Sequence, residues 1–70
     1  MLVATMRLTE FWARMRGQFG ASYAESVARD HVLSDLDGRT AMEALEGGVE
    51  PRAVWRAVCV AFDVPTGNRH

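Results

Sequence analysis

From Thr40 to Val58 the chain reads TAMEALEGGVEPRAVWRAV. Thr40 and Glu43 stand three apart ahead of an apolar run, the spacing at which each side chain satisfies the other's orphan backbone N–H at a helix start. Gly47-Gly48 stops that helix after barely two turns. Pro51 then opens a second one, at the first helical position, where its missing N–H costs nothing. Val54, Val58, Ala61 and Phe62 follow on one stripe, with Trp55 at its edge and Arg52, Arg56 and Asp63 as the clear charged strip. A helix with so little polar surface belongs at the centre of a fold. Its partner is too short to hold itself together and depends on packing.

Working toward the N-terminus, Asp37-Gly38 is a turn signal. Before it, Ser22-Tyr23-Ala24-Glu25 repeats the reciprocal cap and predicts a helix burying Tyr23, Ala24, Val27, Ala28 and His31. Leu33 and Leu36 lie off that stripe, so the end of this helix is expected to pack on a different neighbour. Earlier still, Thr9 is the expected cap of a helix with Leu8, Phe11, Trp12, Met15 and Phe19 on one side and a stop at Gly20. Gly17 within it suggests close approach of another helix. No strand pattern, repeat or low-complexity tract stands out. The expected fold class is therefore all-α: a compact bundle of four short helices, the last two arranged like a helix-turn-helix. Its core should include Leu8, Phe11, Trp12, Met15, Phe19, Tyr23, Val27, Leu45, Val54, Val58 and Phe62.

The chain has 70 residues, enough for one small domain, here placed at residues 6–65. Residues 1–5 are expected to be disordered or a wrongly assigned extension ahead of a start at Met6, and residues 66–70 a flexible tail. A domain this size buries only about 60% of its unfolded surface, and its core supplies roughly 3–5 kcal/mol. A single cysteine, Cys59, rules out an internal disulfide and fits a cytoplasmic protein. No apolar run is long enough to cross a bilayer. The basic side is eight arginines without a lysine, and the net charge is −1. Residues 21–50 hold seven acidic side chains against Arg29 and Arg39, while both flanks are net basic. Attraction between these regions within one compact fold is the preferred reading of that pattern.

Catalytic chemistry finds no support in the residue pattern. There is no nucleophile elbow, phosphate loop, metal-ligand spacing or cofactor motif. His31 reads as a core-edge histidine bonded to a backbone carbonyl rather than a proton switch, and Cys59 as packing rather than a redox thiol. Asp35, Asp37 and Glu43 read as a solvated turn, because the full calcium-loop pattern is missing. The candidate interaction surface is Arg52, Trp55 and Arg56, residue types suited to a binding hot spot. Arginine also reads guanine edges, but Glu46 and Glu50 lie beside the pair and repel phosphates, which dominate DNA affinity. A non-enzymatic module that docks on a protein partner is thus the leading expectation. A weak helix-turn-helix DNA binder is the alternative. Neither a cofactor nor a membrane is expected as a partner.

Three stretches, MRLTEFWARMRGQFG, DHVLSDLDGRTAMEALEGGVEPRAVWRAVC and FDVP, spread over Met6 to Pro65, resemble a small actinobacterial family, the domain of unknown function 3046. The resemblance implies a short helical protein of the cytosol without an assigned activity and with no catalytic residues to carry over. Genes of that family often lie beside those for a DNA recombinase and its regulator, so the resemblance, and it alone, implies a link to DNA repair.

Overall fold

The structure, a computed structural model, describes Met6 to Val64. The expectations for residues 1–5, for Pro65 and for the tail lie outside the described residues. Four α-helices follow in order: α1 (Leu8–Phe19), α2 (Ala21–Asp30), α3 (Ala41–Glu46) and α4 (Pro51–Phe62). Between α2 and α3 stands a feature that the sequence reading lacked. Two-residue strands β1 (Val32–Leu33) and β2 (Arg39–Thr40) pair antiparallel around a single 3₁₀ turn, Ser34–Leu36. Two residues are too few to show alternation, so only the Asp37-Gly38 turn was visible beforehand. The hairpin also explains Leu33 and Leu36. They leave the α2 stripe because the helix has already ended, and the hairpin returns both to the core.

Backbone hydrogen bonding sets the helix boundaries. α1 begins one residue ahead of Thr9, with Arg7 as its cap. Arginine has no side-chain acceptor, so only half the reciprocal cap forms, with the Arg7 backbone N–H donating to Glu10 Oε1 at 3.1 Å. Gly20 closes α1 and opens α2 at once. Its N–H donates to Arg16 O at 2.8 Å while its carbonyl accepts from Ala24 at 2.9 Å. Its φ of 91° and ψ of 150° lie in a region that is essentially glycine's alone. This one-residue reversal overturns the expected cap at Ser22. The helix starts at Ala21, and Ser22 already lies inside its first turn. At α3 the expectation holds in full: Thr40 Oγ1 accepts from the Glu43 N–H at 3.1 Å, and the Glu43 carboxylate accepts from the Thr40 N–H at 2.9 Å.

Three segments close by one device. A residue in the left-handed region lets the next amide reach back five residues while its own reaches back three. Around the hairpin turn, Asp37 (φ 59°) allows Gly38 N–H to Leu33 O at 3.1 Å. After α3, Gly48 (φ 95°) allows Val49 N–H to Ala44 O at 2.9 Å. After α4, Asp63 (φ 53°) allows Val64 N–H to Cys59 O at 3.0 Å. The last closure stops α4 at Phe62 and turns Val64 into the core.

The core sits where α4 meets α1, α3, β1 and the 3₁₀ turn, with α2 paired along α1. Phe11 is fully buried, edge-on to Trp12 at 5.2 Å and to Trp55 at 6.4 Å between ring centroids. Met15, Val27, Val54 and Val58 are buried as expected, and Trp12, Phe19, Leu45 and Phe62 pack half-buried against them. Two expected core residues are not there: Leu8 is 50% exposed and Tyr23 61%. Leu8 is the first residue of α1, and Tyr23 lies to one side of the buried Ala24, Val27 and Ala28 once α2 begins at Ala21. Gly17 is corrected as well. A β-carbon there would meet nothing within 4 Å, so no helix approaches it closely.

The two glycines of α1 and its exit therefore predict opposite responses. Gly17→Ala, in open space within a helix, should stabilise the chain by about 0.5–1 kcal/mol. Gly20→Ala should destabilise it by about 1–3 kcal/mol. Urea denaturation of both variants checks this, and matching midpoints would refute it.

Candidate functional site

α4 is buried along more than half its circumference, through Val54, Trp55, Ala57, Val58 and Cys59. Most of what remains outside is one narrow edge carrying Arg52, Ala53, Arg56, Val60 and Asp63, and Ala61, expected on the core stripe, is exposed as well. Arg52 and Arg56 are four residues apart, about 6 Å of rise, and Val60 continues the same line four residues further. Val60 is 55% exposed, a β-branched apolar side chain on solvent. Nothing in the periodicity of α4 alone separates it from Val58, because both lie within an apolar run and only the neighbouring helices decide which is covered.

The structure brings two of the three expected site residues together and removes the third. Arg52 and Arg56 share the exposed edge, whereas Trp55 is 2% exposed with its ring against Phe11. At the edge of the stripe it faces a second neighbour, not water. A helix touched from several sides buries a wider arc than one apolar face predicts. The surface is thus an arginine pair extended by Val60, and Trp55 lies beneath it as core.

The acidic side chains named beforehand, Glu46 and Glu50, are both exposed, and so are the remaining acids of residues 21–50. Arg29 lies within 4.0 Å of Glu25 and 3.8 Å of Asp30, but all three side chains are more than half exposed. Such pairs contribute little to stability in water. Arg39 behaves differently. Its Nε donates to Leu36 O at 3.2 Å, and its guanidinium lies against Gly47 at the end of α3. A cation there complements the partial negative charge of the helix C-terminus, so Arg39 ties the hairpin to α3.

His31 is found outside the core, at the exposed C-terminal cap of α2. Its ring is 4.5 Å from that of Phe62, which in turn meets Phe19 edge-on at 5.0 Å. Cys59 is 1% exposed and packs in the core. Among the described residues no three His, Cys, Asp or Glu side chains come together where they could hold a metal ion. Among the same residues no helix is long and apolar enough to cross a membrane.

Truncating the two kinds of α4 residue should separate core from surface. Trp55→Ala should cost about 3–5 kcal/mol, as much as the whole core supplies, and leave the chain unfolded. Arg56→Ala should change stability by no more than about 0.5 kcal/mol. Thermal melts followed by circular dichroism decide it, and a cooperative melt for Trp55→Ala would contradict the packing described.

No solved structure matches the chain. A stretch of 36 residues, 51% of this chain, is 58% identical to a Mycobacterium tuberculosis protein named "Putative envelope-preserving system protein Rv2742c". That stretch makes up 13% of the relative's length, so the chain corresponds to a small part of a larger protein. The family described as "Protein of unknown function (DUF3046)" matches residues 6–67. With nearly the whole length matched, from the α1 cap through the closure after α4, the chain belongs to that family.

Proposed function

We propose that the chain is a non-catalytic docking module that engages a protein partner through the exposed edge of α4. The observation that carries this reading is the line Arg52, Arg56 and Val60 on a helix whose other side is core. Arginine is enriched at protein interfaces and lysine depleted. A guanidinium pair beside an exposed valine offers directional hydrogen bonding and apolar contact on one rigid element. The match to a minor part of a larger protein supports the idea of a module that works joined to, or beside, other domains. That relative's name describes a system protein, which is consistent with a component acting among others. The cytosol is the compartment in which we place it, and the module carries out no reaction of its own.

Duplex DNA is the competing occupant, because α3, the Gly47–Glu50 turn and α4 follow one another as a helix-turn-helix would. Two arginines make a weak grip on a phosphate backbone, whose recognition draws on many positive charges. The exposed acids of residues 21–50 add repulsion. The 3₁₀ hairpin ahead of α3 and the six-residue length of α3 also depart from that motif's usual two stable helices.

The test is a paired capture from the native cell with the wild-type chain and with Arg52→Ala/Arg56→Ala. A defined protein retained by the wild type and lost by the double variant, with both chains melting alike, is the expected result. Duplex DNA should show no specific retention at physiological salt. Tight duplex binding that weakens steeply with salt and disappears in Arg56→Ala would replace the protein partner with DNA.

A further inference from the structure

Asp37 and Gly38 join the 3₁₀ turn to β2, and both are exposed. An aspartate followed by glycine is a chemically labile pair, because no side chain shields the glycine nitrogen from the preceding carboxyl group. In a mobile chain the Gly38 nitrogen can bond to Asp37 Cγ. The amide proton and the carboxyl hydroxyl leave together as water, and a five-membered succinimide forms. Water then opens the ring at one of two carbonyls. Opening at Cγ restores aspartate. Opening at the former backbone carbonyl leaves isoaspartate, with the main chain running through Cβ and the mass unchanged. No reagent besides water is required.

The folded hairpin opposes each part of the first step. The Gly38 N–H is engaged, donating to Leu33 O at 3.1 Å. Asp37 is held at φ 59° and ψ 35°, which turns the Gly38 nitrogen to the far side of the Cα–C bond from Cβ. Ring closure needs that nitrogen to swing round and eclipse Cβ. The Asp37 N–H is itself held, donating to Ser34 O at 3.2 Å. Burial of Leu33 and Leu36, both just ahead of the pair, anchors the loop that carries these bonds. Water reaches the pair freely, so conformation and not access is the barrier.

We infer that Asp37-Gly38 is a spontaneous isoaspartate-forming site that the β1–β2 hairpin holds closed, so that the modification marks only chains whose hairpin has opened. The mark is also self-reinforcing. An added backbone methylene shifts the register of Val32 against Thr40 and of Leu33 against Arg39. It separates the Gly38 amide from the Leu33 carbonyl as well. A marked chain therefore cannot rebuild this closure with both leucines buried.

The experiment incubates the full chain, at one pH and temperature, in native buffer and in urea sufficient to unfold it. Isoaspartate at residue 37 is then counted over time by peptide mass spectrometry with electron-based fragmentation. The unfolded chain should accumulate it, and the native chain should do so more than about tenfold more slowly, because modification must wait for local opening. Leu33→Ala removes a buried anchor but keeps the accepting backbone carbonyl, and should raise the native rate several-fold. If that variant fails to fold, its rate in native buffer should equal that of the urea-unfolded wild type. Equal rates for the wild type in the two conditions would overturn the inference. So would a urea-unfolded chain that gains no isoaspartate, or a folded Leu33→Ala chain no faster than wild type.

Discussion

Everything in this small fold hangs on the burial of α4 from several directions at once. Phe11 of α1 stands edge-on to Trp55 of α4 and to Trp12 of its own helix, and that contact ties the N-terminal helix pair to the central helix. Edge-to-face geometry brings the positive rim of one ring to the negative face of another, adding to the area that three large side chains remove from water. A domain with so little interior has few such contacts to lose. One aromatic truncation on α4 therefore acts on the whole fold, whereas a change on its outer edge acts on almost nothing.

The second constraint is reversal of the chain within very few residues. Helices α1 and α2 share Gly20, and three further segments end on a left-handed residue followed by an amide that reaches back five positions. These closures satisfy carbonyls that helix ends leave orphaned. After α4 the closure also aims the next side chain inward: Val64 is 1% exposed. The hairpin between α2 and α3 uses the same closure to return Leu33 and Leu36 to the core. Its conformational hold on Asp37 and Gly38 follows from packing and hydrogen bonding needed in any case, so the chemical protection inferred for that pair needs no dedicated group.

The arrangement of charge also follows from the packing. A central helix has little surface, and what α4 does present is concentrated on a narrow edge with Arg52, Arg56 and Val60. The acidic side chains of residues 21–50 are dispersed over α2, the hairpin, α3 and the cap of α4. That distribution favours a partner that meets a short line of positive charge on a rigid helix over one that must be gripped along an extended phosphate backbone.

Much of the helical fold was determined by local chemistry and could be read directly. The Thr40–Glu43 cap, the Pro51 start and the apolar stripes of α1 and α4 each depend on residues within a few turns of one another. Tertiary structure alone decided the rest. Strands of two residues have no alternation to read, so the hairpin exists only because Leu33 and Leu36 find a core beside α4. Ser22 met every local requirement for a cap and lost the place to Gly20, whose unusual backbone reverses the chain one residue earlier. Leu8 and Tyr23 were apolar at helical spacing, yet position relative to neighbouring elements left them in water. Of the expected site, Arg52 and Arg56 were found by charge, whereas the burial of Trp55 and the exposure of Val60 could not be. Periodicity defines the direction in which a side chain points from its own helix axis. Whether another helix or water waits in that direction is set by elements distant in sequence, which is why the chemical character of the α4 edge was settled only by packing.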